Sequence, residues 1–228
     1  MKALLKEICP PVAWRALQRL KASLATPPRG HGHGDVQDLD VYWDPEMAKI
    51  LETWGDGNVW DEIRLLLVNA RGRVLDIACG TGKTIAVLFP MTELELHGFD
   101  ISDLLIQKAL ERGVRPDRLR VADATKMPYA DREFDYSYSI GSLEHFTEVG
   151  IDQFVQEAAR VTRIASFHMM PTSRSVQDEG WLKTYQSFHN NSPGWWEQRL
   201  RKGFADVVVL PSHWSDPLSI GKWFVCRK

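Results

Sequence analysis

The chain is short of the features that would route it through a membrane or out of a cell. Its three cysteines, Cys9, Cys79 and Cys226, are odd in number and far apart in 228 residues, so neither a disulfide framework nor a paired-cysteine zinc site is indicated. No apolar run has the length of a membrane-spanning helix, and the N-terminus lacks the apolar core and small-residue cleavage site of a secretory signal. A reducing cytoplasm is the expected location. An excess of one charge sign is missing too: the formal net charge is -2, and without a basic tract no nucleic-acid partner is expected.

What is present divides at about residue 70. In MKALLKEICPPVAWRALQRLKASL, Trp14, Leu17, Leu20 and Leu24 recur at near-helical spacing among mostly basic neighbours. This predicts a basic amphipathic helix broken at Pro10-Pro11, lying on an anionic membrane face or packed on its own domain. The linker ATPPRGHGHGD follows; His31 and His33 sit there with Asp35, Asp38 and Asp40 nearby, but on flexible glycine spacing, and no metal site is assigned. Tyr42 and Trp43 then precede two expected short helices around Gly55-Asp56-Gly57. Residues 1–70 are read as basic helix, linker and helical lid.

From residue 71 onward, short β-rich runs alternate with helix-length segments: RVLDIA, LHGFDI, RLRVADA, FDYSYSI and ASFHMMP are the strands. The rhythm predicts a doubly wound α/β sheet. DVVVLPS and KWFVCRK, joined by a stretch too short for a helix, should form an antiparallel hairpin at the sheet edge.

The turn IACGTGKT after the first strand ends like a phosphate loop, but the required earlier glycine is Ile77. A dinucleotide fingerprint fails as well, because its third glycine is Ile85. What remains is a small-residue turn between a strand and a helix, followed by Asp100 at the end of the next strand, eighteen residues past Gly82. Such an acid accepts hydrogen bonds from both hydroxyls of a ribose, and the glycines admit a ligand close to the backbone. A ribose without an obligatory phosphate fits this pattern.

VLDIACGTG resembles motif I of the class I S-adenosylmethionine-dependent methyltransferases, with Ala78 in place of its first glycine. GFDIS, VADATKMPYADREFD and FDYSYSIGSLEHF are similar to the following motifs, in the family's order. The resemblance runs from about Val74 to the C-terminus and implies a Rossmann-like seven-stranded sheet of order 3-2-1-4-5-7-6, strand 7 antiparallel. It implies S-adenosyl-L-methionine as cofactor, held by Asp76, Ala78, Cys79, Gly80, Gly82, Asp100, Ile101, Asp123, Ala124 and Ile140, with Tyr42 closing over its methionine end. Asp123 would accept from the adenine amino group. One departure is RVTRIASFHMMPTS, which lacks the glycine pair many relatives carry before the fifth strand.

His145, just past the fourth strand, is either a general base for a hydroxyl acceptor or a residue that closes the cofactor loop. His168 is the rival base or a satisfied core histidine, and Glu144 either orients an imidazole or caps the next helix. The segment from Pro171 to Trp196 mixes polar groups with flat aromatic faces, as a sugar requires. Arg174, Trp181, Tyr185, His189 and Trp195 are its candidate substrate contacts, with one of Trp195 and Trp196 expected to be structural. SIGSLEHFTEVGI and SFHMMPTSRSVQDEGW look like methyltransferases of bacterial surface-polysaccharide gene clusters. That resemblance implies O-methylation of a sugar or glycan-linked acceptor at the inner membrane face. A small non-sugar acceptor, methylated at O, N or C, and a non-catalytic cofactor-binding partner are the alternatives.

Overall fold

A computed structural model describes residue 37 and residues 39–228. The basic N-terminal helix and the pair His31 and His33 lie outside the described residues. A short 3₁₀ turn, Asp40–Trp43, leads into α1 (Pro45–Ile50) and α2 (Val59–Leu66). Each helix starts on a side-chain cap: the Asp44 carboxylate accepts from the Glu46 N–H and the Asn58 side chain from the Val59 N–H.

The main domain runs β1 (Gly72–Ile77), α3 (Lys83–Leu88), β2 (Leu94–Asp100), α4 (Asp103–Glu111), β3 (Leu119–Val121), β4 (Phe134–Ile140), α5 (Glu148–Val161) and β5 (Thr162–Ser173). Then come β6 (Trp181–Leu182), β7 (Phe188–His189), α6 (Pro193–Leu200), β8 (Asp206–Ser215) and β9 (Ser219–Arg227). Seven strands form one sheet in the order β3-β2-β1-β4-β5-β9-β8. The first five are parallel, and β9 is antiparallel to both neighbours. This is the predicted topology; the numbering differs because β6 and β7 form a separate two-stranded ribbon.

The sheet is covered on both faces because its strands alternate at period 2. Leu75, Ile77, Phe99 and Phe134 pack with Phe154 and Val155 of α5 and Trp196 and Leu200 of α6. Val74 and Tyr138 face the other way, onto Val59 and Ile63 of α2, Leu88 of α3 and Trp223 of β9. The helical layer ahead of residue 71 thus shares the core of the sheet. Burial of each large side chain contributes about 1.5–3 kcal/mol. The predicted strands at LHGFDI and FDYSYSI are Leu94–Asp100 and Phe134–Ile140, whereas α6, at PGWWEQRL, falls in a stretch read as a binding segment.

Candidate active site

The turn after β1 is built from three left-handed residues, Ala78 (φ 58°), Gly80 (φ 53°) and Gly82 (φ 68°). It is tied to the end of β2. The Asp100 carboxylate accepts from the Gly80 N–H at 2.9 Å and from the Ser102 N–H at 3.0 Å. Burial pushes Asp100 up to about 6, although the N–H groups of Ser102, Gly80 and Ile101 pull it down.

Above this turn lies a cavity of about 300 Å³ whose wall includes Tyr42, Ala78, Gly80, Asp100, Ile101, Asp123, Ala124 and Ile140. Gly80 leaves its backbone bare toward this space: a Cβ there would meet only Leu51 Cδ1, at 3.4 Å. Asp100 stands at the tip of β2, and Asp123 in the turn after β3, where its Oδ1 accepts from the Thr125 N–H and hydroxyl. A bare turn flanked by two separated carboxylates suits a ribose and an amino-bearing base. Tyr42 is fixed at the rim, its carbonyl accepting from the Ser102 hydroxyl at 2.7 Å and its hydroxyl from the Gln186 amide at 3.2 Å. Trp43 instead donates to Asp103 and is 43% exposed.

Three residues expected at the cofactor are elsewhere. Asp76 is buried beneath the turn and accepts from the Tyr138 hydroxyl at 3.0 Å; burial holds its pKa well above the carboxylate range. Cys79 packs with Ile85 and Ala109. Gly82 begins α3, where a Cβ would approach Ala109 Cβ to 2.8 Å. None of the three lines the cavity, so their side of the motif supports the turn from below.

A second cavity, of about 240 Å³, shares Leu51, Gly141 and Gln186 with the first. Its wall holds Glu144 and His145, from the 3₁₀ turn after β4, together with Trp54, Phe188 and Trp214. His145 Nδ1 lies 2.8 Å from the Ser187 carbonyl; that nitrogen therefore carries the proton, and Nε2 presents a lone pair. Burial lowers His145 to about 4, against the Ser187 carbonyl, which raises it. The ring is neutral at pH 7. Glu144 Oε1 lies 3.6 Å from Nε2, beyond hydrogen-bond reach, and burial raises Glu144 to about 8.

His168 is not at either cavity. It is a fully buried residue of β5, with Nδ1 2.8 Å from the Ser139 hydroxyl of β4 and Nε2 2.9 Å from that of Ser166. With both nitrogens engaged and no access to solvent, it is a core histidine rather than a base.

The substrate segment is also rearranged. Arg174 donates twice to the Asp216 carbonyl, and the Tyr185 hydroxyl donates to Asp44 at 2.6 Å. Trp181 and Trp195 pack against His189, the Arg199 guanidinium covers the Trp195 ring, and Trp196 is wholly in the core. None of the five predicted contacts lines either cavity. Their neighbours do: Gln186 reaches both cavities and Phe188 the second. Sequence reading missed these two, along with Leu51, Trp54, Gly141 and Trp214. Only Gly141, at φ 65° directly after β4, follows a recognisable loop signal.

Comparison with known proteins agrees with this geometry. Residues 74–164 match a family model described as a methyltransferase domain. The chain is 30% identical over 148 residues to the 27-O-demethylrifamycin SV methyltransferase of Amycolatopsis mediterranei (strain S699), covering 60% of this chain and 53% of that protein. It is likewise 30% identical over 146 residues to an O-methyltransferase, cnsE, of Penicillium expansum, covering 58% and 52%. The chain thus spans about half the length of the curated relatives it matches. Among solved structures, the PH0226 protein of Pyrococcus horikoshii OT3 aligns over 81% of this chain and all of its own, with a TM-score of 0.59 at 21% identity. Sheet order, bare glycine turn and matched domain all lead the same way, and residues 74–164 carry a methyltransferase domain of the S-adenosylmethionine-dependent kind.

Proposed function

We propose that the chain is an O-methyltransferase of a small-molecule hydroxyl, with S-adenosylmethionine in the first cavity and the acceptor in the second. The observation that carries this reading is the wall the two cavities share, with the accepting Nε2 of His145 beyond it. Asp100 receives the ribose hydroxyls, Asp123 the adenine amino group, and Tyr42 covers the methionine end. When bound, S-adenosylmethionine would supply a sulfonium methyl, so that a C–O bond would form as the C–S bond broke and its electron pair returned to sulfur. His145 Nε2 takes the hydroxyl proton and releases it to solvent when the pocket opens. The rest of the contribution is orientation of the acceptor oxygen in line with the methyl. Two relatives named for oxygen methylation support an oxygen acceptor over nitrogen or carbon.

The glycan acceptor and the placement at a membrane face have less support. They rest on the aromatic segment from Pro171 to Trp196 and on residues 1–24, and most of the aromatic faces in the first of these pack on their own domain.

The test pairs calorimetry of S-adenosylmethionine binding with release of S-adenosylhomocysteine against phenols, sugar nucleotides and aliphatic alcohols. Asp100→Ala should weaken cofactor binding more than tenfold. His145→Ala should leave that binding unchanged and lower kcat by roughly 10²- to 10⁴-fold. Near wild-type turnover by His145→Ala with a good acceptor would refute the base, and turnover of sugar nucleotides alone would restore the glycan reading.

A further inference from the structure

The second cavity has walls that say more about its occupant than the transfer reaction requires. At about 240 Å³ it is smaller than the roughly 300–1,000 Å³ of sites for drug-sized ligands, so it takes a small ring system or one end of a larger molecule. Trp54, Phe188 and Trp214 give it flat apolar sides, and the Trp54 and Trp214 rings stand edge to face at 6.1 Å. A sugar ring would bring several hydroxyls to such walls, and few groups are disposed to meet them. Of the Asp216 carboxylate on the wall, Oδ1 already accepts from the Leu218 and Ser219 N–H groups at 2.8 and 2.6 Å, which leaves Oδ2 for a ligand. The Gln186 amide donates to Tyr42, and His145 spends its own N–H on Ser187.

Glu144 is different. Only 4% exposed, it has Oε2 buried without a hydrogen-bond partner, a costly arrangement for a carboxyl in a protein interior. No arginine or lysine pairs with it among the described ion pairs; its one close neighbour of that kind is His145 Nε2, at 3.6 Å. An unpaired carboxyl in so apolar a setting keeps its proton, and burial does raise Glu144 to about 8. A protonated carboxyl is a hydrogen-bond donor. It stands beside the one nitrogen in the cavity wall that is free to take a proton.

We propose that this cavity selects a planar, apolar hydroxyl compound of the phenol or enol class that carries a second oxygen, and that Glu144 reads this oxygen by donating its carboxyl proton to it. The methylated hydroxyl meets His145, and the second oxygen, a carbonyl or ether, meets Glu144. Glu144 is a positioning and specificity residue; it exchanges no proton with the reacting oxygen. The acidity of the acceptor suits its neighbour, since an imidazole held at about 4 is a weak base and an acidic hydroxyl gives up its proton more readily than an alcohol. The inference rests on the proposed placement of acceptor and cofactor in adjoining cavities.

The probes are 3-acetylphenol and 3-ethylphenol, nearly equal in shape but with and without the ketone oxygen, titrated calorimetrically into the full chain saturated with S-adenosylhomocysteine. The wild type should bind the ketone at least tenfold more tightly. Glu144→Ala should erase that preference while leaving the ethyl compound's affinity within about twofold, and Glu144→Gln, which still donates, should keep most of it. Equal affinities in the wild type, binding of neither probe, or loss of preference in Glu144→Gln would each overturn the proposal. Phenol binding without any methyl transfer would instead count against the proposed function, so the two failures are separable.

Discussion

Three small residues in one turn do three different jobs, and each makes its own prediction. Gly82 lies at φ 68°, and an added Cβ would come within 2.8 Å of Ala109 Cβ and 3.2 Å of its Cα. The second contact is backbone, so α4 itself would have to move. Gly82→Ala should therefore cost about 2–4 kcal/mol in urea unfolding. Gly80 is also left-handed but opens on the first cavity. Gly80→Ala should cost only about 1 kcal/mol of stability while weakening S-adenosylmethionine at least tenfold. Ala78 already bears a side chain at φ 58°, so relief of strain and added chain entropy nearly cancel in Ala78→Gly, which should stay within about 1 kcal/mol of wild type. The motif was legible from its spacing. Which of its residues face the ligand was not, because Asp76, Cys79 and Gly82 alternate with Ala78 and Gly80 across a turn whose two sides look alike in one dimension.

At the scale of elements, the same one-residue ambiguity displaced the substrate contacts. Tyr185 and His189 have the chemistry of a sugar site, yet Gln186 and Phe188 line the cavities. In an extended segment a shift by one residue exchanges the faces, and strands of two residues, Trp181–Leu182 and Phe188–His189, carry too little alternation to reveal which face is inward. Trp214 was hidden for a related reason: it sits where β8 loses register with β9, between Pro211 and Ser215. Glu62 of α2 holds that irregular stretch in place. Its carboxylate accepts from the Ser212 hydroxyl, the His213 N–H and Trp223 Nε1, each at 2.7 Å. Burial alone would raise Glu62, but these donors keep it below the ordinary value. Glu62→Ala should lose about 2–3 kcal/mol of stability. Because the stretch it releases carries Trp214, acceptor KM should rise severalfold while the cofactor Kd stays within twofold. A cofactor Kd that rises in step with acceptor KM would show that α2 supports both cavities.

For the whole molecule, alternation of strand and helix specified the sheet, and two terminal β-rich runs without room for a helix specified its antiparallel edge. The centre of that sheet was less legible, since His168 in a strand reads equally as a catalytic or a structural residue. In the fold it completes a buried hydroxyl chain: Thr162, Ser137 and Ser166 are linked at 2.6 Å, and His168 joins Ser166 to Ser139. Burial lowers His168 to about 3, so the folded protein holds this ring neutral while the unfolded chain protonates it near 6.5. Between those values the unfolded state binds more protons. The stability His168 contributes is therefore complete above about pH 6.5 and drains away as the pH falls toward 3. Glu144 and Asp100, both raised by burial, act with the opposite sign over part of this range, and their effect conceals the histidine in the wild-type curve. Comparison with a variant removes them. His168→Gln should cost about 2–4 kcal/mol at pH 7, from misfit and unsatisfied serine hydroxyls. By pH 4.5 that cost should shrink by about 2 kcal/mol, because only the wild type carries the protonation penalty. Paired urea unfolding curves at the two pH values measure the change, and a cost that stays constant would mean that the ring titrates alike in the folded and unfolded chain.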